Sequence, residues 1–345
     1  MSSLIPADLI PLLSAALLAL TVLIYVVLDG ADLGVGVLFV LTPDQEDREV
    51  MVNSILPVWD ANETWLVLAG GALLALFPSA YSSILSALYP LIIVMLLSLI
   101  CRGTALELRG RAPHSERAGW DVAICGGSLL AAFCQGMALG AIVQGIHVTA
   151  DVYTGGWWDW FSGFSVACGL AVICVYLVLG SCWLVWRTEG ALQARAWKRA
   201  PWLGATAIVL LAAIGVWALT LNATYSQHWS EWPFSIIRWM LCALFVAAAL
   251  LFVWSRKKRK DMTLLLAAIF CLIVAYFSVA GTLYPFIVPP ALSISAAASA
   301  PSSQLFVLGG CAFLVPAILA YSTFSFWVFR GKVKPERSVN TSGEI

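Results

Sequence analysis

The chain has 345 residues, 61% of them hydrophobic and only 11% charged, with a mean hydropathy of +0.91 and a formal net charge of +0. That balance excludes a soluble domain of any size and gives no reason to expect nucleic acid as a partner. It is the composition of a polytopic membrane protein.

Crossing the hydrocarbon takes about 20 mostly apolar residues. Nine stretches qualify, approximately 9–41, 50–77, 80–101, 120–146, 160–186, 202–221, 235–254, 262–283 and 304–329. The sequence therefore predicts an all-α polytopic membrane protein with nine transmembrane helices. Residues 1–330 form one transmembrane domain and 331–345 a polar tail. Met1 to Pro11 carries no Lys or Arg and no small-residue cleavage site, so the first helix is expected to stay.

The first stretch contains Asp29-Gly-Ala-Asp32, and its glycines Gly30, Gly34 and Gly36 allow either a continuous helix or a break. Gly30 and Gly34 also form a small-xxx-small pair, and Gly70-Gly71 lies in the second stretch; both permit close helix contact. The second stretch contains Trp59-Asp60-Ala-Asn62-Glu63-Thr-Trp65. A carboxylate at membrane depth costs at least about 2.5–3.5 kcal/mol, so these acids mark the place to look for function. Asp60 lies ten residues into its stretch, about 15 Å deep at the helical rise. Asp29 and Asp32, like Asp60 and Glu63, are spaced to share a helix face. Mid-membrane basic partners are missing, and Arg102 is the nearest candidate, at the inner end of the third stretch. Glu107, Arg109 and Arg111 follow it as an acid–base group at the mouth, or as ordinary interfacial charge.

Every Lys and Arg except Arg238 falls on one side of the predicted helices. Basic loops face the cytoplasm, which places the N-terminus outside and the C-terminus inside. Trp157, Trp158, Trp160, Trp229 and Trp232 then mark the outer interface, and Trp120, Trp186, Trp197, Trp202 and Trp254 the inner one. The proline-rich segment 287–303 reads as irregular cover on the outer side. The nine cysteines form no C-x-x-C pair and read as small buried hydrophobes.

Haem-bearing membrane chains place axial His or Met within helices. His114, His147 and His228 all lie in loops or at helix ends, and there is no cysteine cluster, phosphate loop or dinucleotide fingerprint. The residues alone allow two readings. One is a redox-silent subunit serving a partner's redox centre. The other is a secondary transporter that couples protons or cations to a solute through these acids.

Several segments carry a resemblance. They are Leu28-Asp-Gly-Ala-Asp-Leu-Gly-Val-Gly36, Asn53-Ser-Ile-Leu-Pro-Val-Trp-Asp-Ala-Asn-Glu-Thr-Trp-Leu66, Gly70-Gly-Ala-Leu, Phe77-Pro78, Arg102 and Tyr284-Pro-Phe-Ile-Val-Pro289. Together they resemble subunit II of cytochrome bd-type quinol oxidases over nearly the whole chain. Asn-Glu where some members have Asn-Gln, with the short loops, is closest to the cyanide-insensitive branch.

The resemblance implies an electrogenic enzyme of the bacterial cytoplasmic membrane that oxidises quinol and reduces dioxygen to water. Its haems, b and d or b-type throughout, belong to subunit I. Subunit II holds none, and it is the chain that scaffolds the haem subunit and supplies part of a cytoplasmic proton path. The resemblance leaves open a quinone or an oxygen route in this chain, lipid contacts and a small single-helix third subunit. By position, Asp60 is the buried acid of the path. Glu107 stands where some members have Asp, and Arg111 where some have Lys, which loses a group that readily deprotonates. Asp29, Asp32 and Glu63 are expected to assist the proton transfer, with Trp59, Asn62, Trp65 and Arg102 supporting.

Overall fold

Eight helices of the computed structural model, which describes residues 6, 8–149, 152–328 and 330–333, are long and apolar enough to cross a membrane. They are α1 (Leu9–Val37, extended by a 3-10 turn to Leu41), α4 (Pro78–Arg109), α5 (Arg117–Gln144), α6 (Gly163–Arg187), α7 (Gly190–Leu221), α9 (Phe234–Lys257), α10 (Asp261–Leu283) and α12 (Pro301–Val328). Between α1 and α4 come two shorter helices, α2 (Gln45–Ile55) and α3 (Trp59–Leu76). Two single-turn pieces, α8 (Ala223–His228) and α11 (Ile294–Ala297), sit in connections. Two small hairpins, β1–β2 (Val148–Thr149 with Val152–Tyr153) and β3–β4 (Phe286–Val288 with Leu292–Ser293), complete the set.

The second predicted stretch, 50–77, is broken. Pro57 has no N–H to continue the ladder, and the chain turns over Leu56–Val58 before α3 begins at Trp59. Asp60 is therefore in the first turn of α3, not ten residues into a helix. The polar first turn of α3 also keeps it out of the set of eight. The region around Asp29 is unbroken: α1 runs through all three of its glycines. Segment 287–303, expected to be irregular, folds as β3–β4 and α11, with the Ser299 N–H donating to the carbonyl of Leu76 at 2.9 Å. The polar tail lies outside the described residues from 334 onward.

Packing explains the glycines. α1 lies on α6, and Gly34 meets Gly180 backbone to backbone: a Cβ on either would overlap the other helix, at the Tyr176 carbonyl for Gly34. With no lipid-driven preference between apolar surfaces, such close approach is a main source of helix association in membranes. The Gly70-Gly71 pair differs, since nothing lies within 4 Å of either and its face of α3 is open.

One end of the bundle is tied by ion pairs. Arg48 of α2 donates to Asp121 of α5 at 2.9 Å and to the Thr42 carbonyl at 2.7 Å. Arg117 pairs with Glu49 at 3.0 Å, Arg195 of α7 with Asp47, and Lys332 with Asp261 at 2.7 Å. Arg199 donates to the carbonyl of Leu41 and Arg187 to that of Gly331. These contacts gather the end of α1, α2 and the starts of α5, α7 and α10 on one side, the basic end.

Two tryptophans assigned to the interfacial belts are interior. Trp197 is buried under Arg259, whose guanidinium lies 5.3 Å from the ring, and Trp229 is buried with its indole N–H on Thr282 at 2.9 Å. Trp157, Trp158, Trp202, Trp232 and Trp254 are exposed, as an anchor requires. Cys101 and Cys242 are exposed and the other seven cysteines are partly or fully buried.

Gly34→Val is expected to reduce the amount of assembled, membrane-inserted protein sharply, because valine cannot fit against the Tyr176 carbonyl. Gly215→Ala, on an open stretch of α7, should leave it unchanged. Yield and thermal stability in mild detergent read both variants. Equal behaviour of the two would refute the close-contact account.

Candidate functional site

The acids of α1 and α3 converge on one guanidinium. Arg102 sits inside α4, which runs on to Arg109, and it is fully buried. Its Nη2 donates to Asp29 Oδ1 at 2.8 Å and to Glu63 Oε1 at 2.5 Å. Arg102, the nearest basic candidate in the sequence, is thus the partner of these acids, and it is interior, not interfacial. Next to this pair, Asn62 Nδ2 donates to Asp32 Oδ2 at 2.7 Å. Three carboxyl groups from two helices therefore share one cation and one amide.

Local sequence makes this possible. The i,i+3 spacing puts Asp29 and Asp32 on one face of α1. Asp29 and, from α3, Glu63 reach Arg102 of α4, while the adjacent Asn62 reaches across to Asp32. Gly127 of α5 faces Arg102, and a Cβ there would stand 2.6 Å from the Ser98 carbonyl and 3.1 Å from Arg102 Cβ. Gly103 leaves the space that the Trp59 ring fills, while Trp65 is fully buried behind the cluster. Asp29 Oδ2, Asn62 Oδ1, Arg102 Nε and Nη1 and Trp65 Nε1 are buried without a protein hydrogen bond, so the site holds more polar capacity than it spends internally.

Not every expected residue joins. Asp60 and Glu107 are both exposed on this chain, on α3 and α4 respectively. Trp59 against Gly103 brings the first turn of α3 to the last third of α4, so the two acids lie on neighbouring helices toward the basic end. Glu63 is between the two classes: its side chain is 24% exposed while one oxygen holds Arg102. Arg111 is exposed. Arg109, one of the residues that read equally as mouth charge, is buried: its Nε donates to Asp121 at 2.5 Å and its Nη2 to Gln45 at 3.0 Å.

Asp121 escaped the sequence reading, as did a chain of hydrogen bonds above Asp29. The Tyr176 hydroxyl donates to Gln135 Oε1 at 2.7 Å, and Gln135 Nε2 donates to the Tyr25 hydroxyl at 2.7 Å. Tyr25 lies one turn before Asp29 and interacts with it electrostatically. Gln135 at mid-length of an apolar helix was the available signal, because an amide there demands a partner.

The family described as "Cytochrome bd terminal oxidase subunit II" matches residues 10–329. The chain belongs to this family. The Bacillus subtilis (strain 168) "Cytochrome bd ubiquinol oxidase subunit 2" is 30% identical over 320 residues, covering 89% of this chain and 91% of the relative. The Escherichia coli (strain K12) "Cytochrome bd-I ubiquinol oxidase subunit 2" is 28% identical over 348 residues, covering 90% and 92%. A chain of the bd oxidase from Geobacillus thermodenitrificans superimposes with a TM-score of 0.70 at 17% identity, covering 93% of this chain and 99% of that one. That likeness supports the fold.

A cytochrome complex contains haem, so the residues of this bd subunit II chain can be tested for a place to hold it. They do not fit. The space among α1, α4, α5 and α6 is closed by the Gly34–Gly180 contact and by Gly127 on Ser98. His114 and His147 are exposed at the helix ends.

Arg102→Leu strands Asp29 in the interior and is expected to destabilise the assembled complex by about 3–5 kcal/mol, the range for breaking a buried pair. Adding Asp29→Leu should recover part of that loss. A thermal-shift series on both variants measures the coupling, and strictly additive losses would show that the pair is not coupled.

Proposed function

We propose that the chain is the haem-free subunit II of a bd-type terminal oxidase. The enzyme oxidises membrane quinol and reduces dioxygen to water, and this chain's parts are to hold the haem-bearing subunit I and to pass it protons. In this reading it lies in the bacterial cytoplasmic membrane with nine crossings, α3 being the ninth. The N-terminus is outside and the basic end cytoplasmic. Family membership supports the complex, and the names of the Bacillus and Escherichia relatives supply quinol as the donor. The transporter reading has no comparable support.

The observation that carries the proton role is the Arg102 cluster. Full ionisation of Asp29, Asp32 and Glu63 against one guanidinium would leave two uncompensated negative charges in a largely buried site. Such a site relieves that cost by holding protons. Asp29 is locked to Arg102 and Asp32 to Asn62, so those two set the charge of the site. Glu63, partly open, is the group that exchanges.

Asp60 and Glu107 lie on the approach. Both precede the buried cluster when it is reached from the basic end. Glu107 is five residues beyond Arg102 along α4, about 7.5 Å. Among the described residues neither carboxylate has a hydrogen-bond partner. Asp60 also shares its face of α3 with Val67 and Leu74, which are 73% and 51% exposed. A bare carboxylate beside such residues is costly in lipid and is relieved at a wet subunit interface. The α3–α4 face is therefore the one assigned to subunit I, with Glu107 as entry, Asp60 as relay and Glu63 as the inner acceptor. Arg111 keeps its charge and does not relay.

Asp60→Asn in the assembled oxidase should lower oxygen consumption and proton uptake together by about tenfold. That is less than the 10²–10⁴-fold effect of a directly catalytic acid–base group, since water can bypass a relay. Asp60→Glu should restore most of the rate. Wild-type rates in Asp60→Asn, with normal assembly and haem spectrum, would overturn the relay.

A further inference from the structure

Between α7 and α9, toward the basic end of the bundle, lies an apolar cavity of about 210 Å³. α7 packs on α6 and α9 on α10, while α7 and α9 scarcely touch each other, so the slot between them is open along one side. Val178 of α6 and Leu272 of α10 form its floor, Ile208 and Phe245 part of its walls. Gly204 narrows it against Phe252. From Arg256 at one end to Phe245 at the other is eleven residues of α9, about 16 Å. The hydrocarbon core is about 30 Å thick, so the slot has the reach of one leaflet.

The mouth is charged and of one sign. Arg256 is the cationic residue lining the cavity, and it opens the run Arg256-Lys-Lys-Arg-Lys260. Among the described residues no carboxylate lines the cavity. The adjacent acid, Asp261, is already held by Lys332 at 2.7 Å and by Gln193 at 3.0 Å. Trp202 and Trp254, 78% and 47% exposed, stand at the same level as interfacial anchors.

We propose that this cavity binds an anionic glycerophospholipid, with its phosphate on Arg256 and one acyl chain lying between α7 and α9. Basic pockets between membrane helices recognise anionic head groups in this way. A quinone is the poorer fit. Its isoprenoid tail suits the slot, but its ring carries two neutral carbonyls, and the mouth offers a cluster of cations instead of two placed donors. A zwitterionic head would bring an amine to the same cations and lose the preference.

Native mass spectrometry of the detergent-solubilised oxidase complex, titrated with phosphatidylglycerol and with phosphatidylcholine of matched chains, tests the assignment. The unmodified complex should prefer phosphatidylglycerol. Arg256→Gln should cut that preference about fivefold, the effect of one interfacial cation, and leave phosphatidylcholine binding unchanged. Ala249→Phe, which fills the slot, should weaken both lipids. An unaltered haem spectrum confirms that each variant is assembled. Equal binding of the two lipids, a preference that survives Arg256→Gln, or a quinone retained in the slot in place of lipid would each overturn the proposal.

Discussion

A single buried guanidinium sets the geometry of the first half of the molecule. Removing an arginine from water is costly, and the cost is met only when carboxylates reach it in good geometry. Asp29 and Glu63 do so from two different helices, which fixes how α1 and α3 are rotated about their axes relative to α4. The neighbouring residues follow from that requirement. Gly127 gives Arg102 its room, Gly103 admits the Trp59 ring, and Asn62 occupies the acid that Arg102 does not reach. A methyl group at Gly127 would therefore disturb the ion pair as well as the helix contact.

The second buried cation, Arg109, works differently. It pairs with Asp121, which also receives Arg48, and Arg48 in turn reaches the carbonyls of Phe39 and Thr42 at the end of the first span. Two arginines around one carboxylate leave no negative charge to spare, so this cluster closes the connection between α1 and α2 and has nothing to exchange. The Arg102 cluster has the opposite balance. Charge count alone separates the two clusters, although both are ion pairs of similar length buried in the same helix.

Much of this was legible in the sequence. Apolar length located most helices within a few residues. The exceptions are the broken second stretch, α4, which runs eight residues past the expected end to Arg109, and α7, which starts a dozen residues early because Arg195, Lys198 and Arg199 lie on it. The acids announced themselves by their cost in an apolar run. Two things were hidden. A proline that breaks a span, Pro57, is not distinguished by composition from one a span tolerates, such as Pro90 within α4, because neighbouring contacts decide which occurs. The pairing of Arg102 was hidden because it joins residues 73 and 39 positions away. Only the rotation of three helices, set by glycines whose partners are on other chain segments, brings them together.

The two halves of the chain solve the same packing problem with different means. In α6, most of the central positions are buried, and the neighbours α1 and α5 approach through glycine at backbone distance. In α9 only Ala248 and Ser255 are buried, and α7 is nearly as open. Polar ties and glycine contacts hold the helices of the first half together and fix the spacing of its buried carboxylates. Among the described residues, the second half has no comparable network across the seam between α7 and α9. Its cohesion depends on what fills that seam, and in a bilayer the filler is lipid. An acyl chain supplies there the packing contacts that side chains supply elsewhere, so the looser half is complete only in its membrane.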